Sequence, residues 1–372
     1  MLGSGAMSAG GAPIADDYPA IPHGPDGPIP QLPLRTFAPP AGILFTPAEY
    51  SPNDGLLLRW GASNSTLTEL ISKATQADSS AIMWVVVSSL AQQSTATSAL
   101  IGGGAVMTRV RFIIAATNSV WMRDYGPRFV INNGQRVLVD HTYNRNRPLD
   151  DAFPTALATL WGAAKFDIPL VHGGGNFHLF DDGDAFMTSL IQHENSSLSS
   201  SQIQQLYRDY QNVNVTFTQP FPSSFDSTQH IDMWMLPVAR KRVILSEYPT
   251  TPAHDVPRAV SNQTATDMIA RGYTVFRTPG WSSGGSHYTY ANAVVLNQTV
   301  MLCQFNGYPS ENAQALLTYT QAFGPTGRTI TTMDCSAIIT IAGAIHCIVM
   351  HVPSTEPTLF SNGFESRALV AP

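Results

Sequence analysis

Five short apolar runs punctuate this chain, and a polar residue capable of chemistry stands just ahead of each. Asp124 lies in W-M-R-D-Y-G-P and Asn176 closes H-G-G-G-N. Asp232 closes Q-H-I-D, Asn292 closes Y-T-Y-A-N, and Cys347 closes G-A-I-H-C. The five are separated by 52, 56, 60 and 55 residues, a period that marks a repeat architecture. Repeats set around an axis would carry all five polar residues to one central cleft.

Between these points a single grammar recurs: a polar start, a helix, a short apolar strand, a Gly- or Ser-rich loop, then another strand. The first strand is read at Gly55 to Trp60 (G-L-L-L-R-W), and Arg111 to Ala115 is a further candidate. Helices are expected over Asp151 to Trp161, Ser200 to Tyr210, Thr264 to Arg271 and Glu311 to Phe323. The matching strands are Phe166 to Val171, Val213 to Phe217, Tyr273 to Phe276 and Thr329 to Thr332, with Gly272 as a left-handed cap and Trp281 to Ser286 as a loop. Strands alternating with helices argue for an α/β fold. An open, doubly wound sheet alternates too, but there functional residues follow the carboxyl ends of strands; here they precede strands, which favours the radial repeat. Prolines crowd residues 12–42 and exclude a regular helix. The expected division is therefore an N-terminal arm over 1–42, a catalytic unit over 43–353 and a short tail over 354–372.

Composition narrows the partners. Charged residues make up 12% of the 372, about half the usual ~25%, and the net charge of −6 comes with no basic block. Nucleic acid is not an expected partner. No apolar run reaches the roughly 20 residues of a membrane span. The low charge and abundant hydroxyl side chains point to a secreted or periplasmic protein. Met1 to Gly11 shows no signal-peptide pattern. Five Asn-x-Ser/Thr triplets begin at Asn64, Asn195, Asn214, Asn262 and Asn297, as a Ser/Thr/Asn-rich chain also yields by chance.

Three cysteines permit at most one disulfide and leave one thiol over. Cys303 in M-L-C-Q-F and Cys335 at a strand end read as ordinary buried thiols. Cys347 differs, because it occupies the repeat position that elsewhere holds Asp or Asn, and a thiolate is a competent nucleophile. His230 and Asp232 are two apart ahead of an apolar run, so on an extended segment both face one side. Two acids, a base and a thiol suit a guanidinium, whose planar fork of donors a carboxylate grips in bidentate fashion. The Asp181, Asp182 and Asp184 cluster reads either as a polar turn or as a structural cation site.

These residues resemble the guanidine-modifying, or pentein, superfamily, in its agmatine deiminase-like branch and most of all the bacterial peptidylarginine deiminases. The likeness runs from P-A-E-Y at Pro47 to H-C-I-V-M at Met350 and rests on the ordered set W-x-R-D-x-G-P, G-G-N, H-x-D and H-C. It implies a five-bladed α/β propeller of pseudo-fivefold ββαβ modules and a cysteine-dependent deiminase needing neither metal nor cofactor. Asp124 and Asp232 would grip the guanidinium, His230 would be the general acid and base, Asn292 would line the site, and Cys347 would attack. Arg145 and Arg147 in H-T-Y-N-R-N-R-P would clamp the carboxylate of a C-terminal arginine, both facing one way on an extended backbone. Trp121, Asn176 and His172 are further substrate-binding candidates. The sequence departs from the family at Ser227, where an aromatic is expected, and at the third glycine of H-G-G-G-N. The expected partners are peptides or proteins bearing arginine. The rival readings are an agmatine deiminase or other small-guanidine hydrolase on the same fold, a thiol protease using Cys, His and Asn, and a non-catalytic binding propeller.

Overall fold

Strand Asn53–Arg59 shows why the apolar runs carry so little polarity. Leu56 and Leu58 pack with Met83, Val85 and Val87 of strand Ile82–Val87 in one core cluster, while Leu57 and Val86 point into another. Alternate residues of a strand face opposite sides, so a sheet covered on both faces needs apolar residues at every position.

In the computed structural model, which describes residues 27–28, 30–33 and 37–355, this arrangement recurs in five separate sheets. Each starts with an antiparallel pair: Val349–Pro353 with Asn53–Arg59, Arg128–Asn132 with Gln135–Tyr143, His178–Leu179 with Asp184–Thr188, Met235–Ala239 with Arg242–Glu247, and Val294–Leu296 with Thr299–Gln304. A helix then crosses over, and a further strand returns parallel to the second member: Ile82–Val87, Lys165–His172, Asn214–Thr218, Thr274–Ser283 and Thr329–Asp334 respectively. A parallel return requires such a crossover. The chain's last described strand thus completes the sheet begun by its first long one. Asp124, Asn176, Asp232, Asn292 and Cys347 each stand two to four residues before the first strand of a pair, so the recurrence read from the sequence is a recurrence of structure. Most of the Pro-rich segment, and the tail beyond Thr355, lie outside the described residues. Among the described residues no helix is long and apolar enough to cross a membrane.

Two expectations shift. The helix expected from Thr264 spans Asp255–Ala270: its polar-looking middle hides a buried stripe of Val260, Ser261, Thr264, Ala265 and Met268 at helical spacing. Trp281 to Ser286 is not a loop but a hairpin, in which Trp281 pairs with Tyr288 and Ser283 with Ser286. Its two-residue turn is Gly284-Gly285, with φ of 59° and 81°, a conformation that glycine adopts at no steric cost. Gly272, with φ of 81°, is left-handed as expected.

Cys303 and Cys335 are not independent thiols. Cys303 lies opposite Met333 of the parallel neighbour Thr329–Asp334, Cys335 directly follows that strand, and the two sulfurs are bonded across 32 residues of chain, leaving Cys347 as the free cysteine. Closing a loop of that length stabilises a fold by about 3 to 4 kcal/mol in the chain-entropy account. The double substitution Cys303→Ala/Cys335→Ala is expected to lower unfolding stability by about that amount, as read by denaturant titration. Addition of reductant should lower the wild type to match the double variant and leave the double variant itself unchanged.

Candidate active site

Four loops bring the expected reactive groups to one buried place. Asp124 occupies a single helical turn, Met122–Tyr125. Asp232 lies in the short turn Ile231–Met233. His230 is aimed by Gln229, whose φ of 58° is left-handed for a non-glycine residue. That turn is pinned by hydrogen bonds from Gln229 Nε2 to the Phe221 carbonyl (2.8 Å) and from Thr188 Oγ1 to the Gln229 carbonyl (2.9 Å). Asn292 joins two of the loops: its Nδ2 donates to the Asp232 carbonyl at 3.2 Å and lies 3.1 Å from Cys347 Sγ, while its Oδ1 accepts from the amide of His346 at 3.0 Å.

Gly175 gives the measure of how closely they converge. A methyl group on its Cα would stand 2.8 Å from Asp124 Oδ1, 2.8 Å from His230 Nδ1 and 3.1 Å from Asp232 Oδ2. One methyl-sized volume therefore borders both acids and the imidazole. Asp232 Oδ2 is also 3.5 Å from Cys347 Sγ, so the thiol belongs to the same cluster. The third glycine of H-G-G-G-N, a departure in the sequence, is required here because any side chain would fill this space. Gly173 is similarly placed: a methyl group on its Cα would stand 2.9 Å from His230 Cε1 and Nε2.

Asp124, His230, Asp232, Asn292 and Cys347 are all fully buried, so their charges interact in a poorly screened setting. His230 Nδ1 is 3.4 Å from Asp124 Oδ1. Burial opposes the imidazolium, but Asp124, by charge and hydrogen bond, and Asp232 outweigh it, and the His230 pKa rises above its ordinary value. Burial and then the charges of Asp232 and Asp124 push the Cys347 thiol well up. At rest it is a protonated thiol donating toward Asp232 Oδ2.

The substrate-binding candidates separate. Arg145 and Arg147 are both buried, but the backbone between them is not extended: the Arg147 amide bonds the Arg145 carbonyl at 2.8 Å, a three-residue turn. The argument from alternation therefore fails, and the two side chains meet different surroundings. Arg145 acts electrostatically on His230 and Glu194. Arg147 donates to Tyr143 Oη at 3.3 Å and lies near Asp150. Asn176 exchanges hydrogen bonds with the Thr188 backbone at 2.8 and 3.2 Å, which makes it a brace. Trp121 is buried in the main core at the start of the Asp124 turn. His172 packs behind the site against His141, their ring centres 5.2 Å apart. The Asp182 and Asp184 carboxylates share Lys241, at 3.0 and 2.7 Å, so a lysine supplies the cation at that cluster.

Four residues with no role in the sequence reading stand beside the site. Glu49, in the P-A-E-Y segment, accepts from Arg123 Nη1 at 2.6 Å and from His346 Nε2 at 2.7 Å. Glu49, His178 and His346 hold ligand-type atoms within 4.8 Å of one another. The Arg123 cation on Glu49 and the engagement of both His346 ring nitrogens make this a charge network rather than a metal centre. Glu194, which no sequence pattern marks, accepts from Asn144 Nδ2 at 2.5 Å and is raised to about 7, chiefly by burial.

Residues 45–353 match the family model for Porphyromonas-type peptidyl-arginine deiminase. The chain belongs to this family. It is thus a deiminase-type, guanidine-modifying hydrolase with an α/β fold, of the pentein agmatine deiminase-like branch. Two relatives named "Putative agmatine deiminase" are similar along nearly their whole length. That of Streptomyces avermitilis is 24% identical over 346 residues, covering 82% of this chain and 96% of the relative. That of Legionella pneumophila strain Paris is 25% identical over 339 residues, covering 84% and 96%. Among solved structures, an agmatine deiminase of Enterococcus faecalis superposes with a TM-score of 0.72 at 20% identity, covering 88% of this chain and 100% of the other. An agmatine deiminase of C. jejuni with substrate bound gives 0.72 at 15%, covering 86% and 99%. These likenesses establish the fold.

Because a Cβ at position 175 intrudes on three of these groups at once, Gly175→Ala is expected to slow labelling of Cys347 by a chloroacetamidine reagent by about a hundredfold. Thermal unfolding should stay close to wild type. Unimpaired labelling would show that the space beside Gly175 is not where an amidinium sits.

Proposed function

We propose that this chain hydrolyses the guanidinium of arginine carrying a free α-carboxylate, as at the C-terminus of a peptide, to citrulline and ammonia. The observation that carries the carboxylate is Arg145. It is buried to 7% exposure, its Nε has no hydrogen-bond partner, and its Nη1 reaches a backbone carbonyl at 3.4 Å. A buried guanidinium so poorly satisfied is costly unless an anion completes it, and Arg145 lies within electrostatic reach of His230.

In this reading Asp124 and Asp232 flank the substrate guanidinium. Its charge offsets theirs and lowers the thiol pKa, the thiol proton passes to solvent as the substrate binds, and the Cys347 thiolate adds to the central carbon. His230, as imidazolium, protonates one terminal nitrogen, and ammonia leaves with the C–N bond. His230 then takes a proton from water, whose oxygen adds to the amidino-thioether carbon. Collapse expels the thiolate and leaves the ureido group. No metal or organic cofactor is required by these steps. The five sheets would be the blades of a propeller, with each polar residue at its inner end. The disulfide supports export, since disulfides persist in oxidising compartments.

Agmatine is the second reading, favoured by the names of the relatives and by Glu194. The Glu194 Oε2 has no partner, and a buried carboxylate there suits an ammonium. Cys347→Ala should abolish ammonia release from every guanidine substrate. Arg145→Ala should cut turnover of a peptide ending in arginine by about 10- to 100-fold, the worth of a charged hydrogen bond, while sparing agmatine. If agmatine is the better substrate of the wild type and Arg145→Ala leaves the peptide rate unchanged, the carboxylate reading is wrong.

A further inference from the structure

Glu49 and His346 take no part in the steps above, yet His346 adjoins the thiol in sequence and lies one hydrogen bond from Asp232. Its ring is buried, and its two nitrogens reach two different carboxylates: Nδ1 is 2.8 Å from Asp232 Oδ2 and Nε2 is 2.7 Å from Glu49 Oε2. A neutral imidazole has one N–H and can satisfy one of them; only the imidazolium donates to both.

The neighbouring rings sharpen the contrast. His178, its ring centre 5.2 Å from that of His346, has no hydrogen-bond partner on either nitrogen and is pushed down to about 3, mainly by burial. His351 pairs Nδ1 with Arg123 Nη2 at 2.9 Å and Nε2 with the Val295 carbonyl at 2.8 Å. The arginine can only donate, so Nδ1 is bare and the ring neutral; burial likewise pushes it to about 3. Burial and Arg123 also push His346 down, but Glu49 and Asp232 outweigh them, and its pKa ends above the ordinary value. The charged groups around it are thus Glu49, Asp232 and Arg123, with His178 and His351 neutral and the Cys347 thiol beyond Asp232.

We propose that His346 is a charged positioning residue and Glu49 its anchor, together holding Asp232 by Oδ2 so that Oδ1 is presented to the substrate cation. Asp232 Oδ1 is buried and has no partner, as a group waiting for a ligand should be. Glu49 is itself locked: Arg123 holds its other oxygen, and the Arg123 amide bonds the Cys347 carbonyl at 3.1 Å. One ion chain therefore ties the acid that grips the substrate to the backbone of the nucleophile. The inference rests on the reading of Asp232 as a guanidinium ligand.

Two measurements test it without the natural substrate. In histidine-labelled wild-type protein, the His346 resonance (assigned with His346→Gln) is expected to stay that of an imidazolium through the range where an ordinary histidine, near 6.5, loses its proton. Glu49→Gln removes a partner that favours the charge, so the proton should be lost at lower pH. Alkylation of Cys347 by chloroacetamidine, whose amidinium must engage Asp232, should then fall about tenfold, with its alkaline decline beginning earlier. Alkylation by uncharged iodoacetamide should change less, and Glu49→Asp should recover part of the loss. A His346 that titrates as an ordinary histidine, or a Glu49→Gln protein alkylated at wild-type rates by both reagents, overturns the proposal. Failure of the wild type to release ammonia from any guanidine would instead sink the deiminase reading and leave these results standing.

Discussion

The structure around Cys347 is organised by one constraint: charges taken out of water must balance. Asp124, Asp232 and Glu49 face His230, His346 and Arg123 within a dry cluster. Removing either member of such a pairing strands a charge at a cost of several kcal/mol. The acids nearest the sulfur are Asp232 and Asp124, so a buried thiolate would meet like charge, and the thiol is accordingly held as a thiol. In the proposed reading, a guanidinium arriving between the acids would bring one positive charge, and ionising the sulfur would supply one negative. The sum is unchanged. A thiol armed in this way would spend little time as a free thiolate, which would protect a lone cysteine from adventitious alkylation and oxidation.

The fold meets this constraint by repetition. Each antiparallel pair begins a few residues after one polar side chain, so equivalent positions in five sheets supply different chemistry from the same kind of place. Backbone details then set the distances. Glycines at 173 and 175 keep side chains out of the space between the acids and the imidazole, and the left-handed Gln229 turns His230 toward it. Asn292 bonds both the Asp232 carbonyl and the amide of His346, holding two loops that lie more than a hundred residues apart in sequence. Strain and steric emptiness of this kind are tolerable where the surrounding structure over-determines the geometry.

How much of this the sequence disclosed follows from the range of the interaction involved. The period of the polar residues, the helices and the αL glycine at 272 are local patterns, and they were legible. The middle of helix Asp255–Ala270 was not, because its buried stripe includes Ser261 and Thr264, which look polar until the Ser246 carbonyl that receives the Ser261 hydroxyl is seen. The Gly284-Gly285 turn was a recognisable hairpin signal that its serine neighbours disguised as loop. The Arg145 and Arg147 argument used the two-residue period of an extended chain, and one backbone hydrogen bond was enough to cancel it. The disulfide and the Glu49–His346–Asp232 chain join positions far apart in sequence, and pairings of that kind have no local signature. Glu49 and His346 lay inside quoted motifs, but spacing alone could not tell a residue that touches substrate from one that holds another in place.

The division between head and tail of the substrate site bears on what kinship can establish. In the proposed reading, the groups that would surround the guanidinium sit at or beside the repeat positions, in loops fixed by the sheets on either side. Arg145 and Glu194 do not occupy repeat positions. One lies in an irregular turn after strand Gln135–Tyr143 and the other ends the short helix Leu190–Glu194, and Asn144 bridges the two segments. Identity of 24–25% over most of the chain speaks to the first set of residues and hardly at all to the second. A substrate class inferred from relatives is therefore secure for the reacting carbon and open for the remainder of the molecule. There a buried cation and a buried acid act on each other electrostatically, each with an unpaired atom. A carboxylate satisfies one and an ammonium the other, and a substrate bearing both charges on one carbon satisfies the two together. In the proposed reading, charge matching at this end, rather than the thiol chemistry, would decide among arginine, peptide and amine.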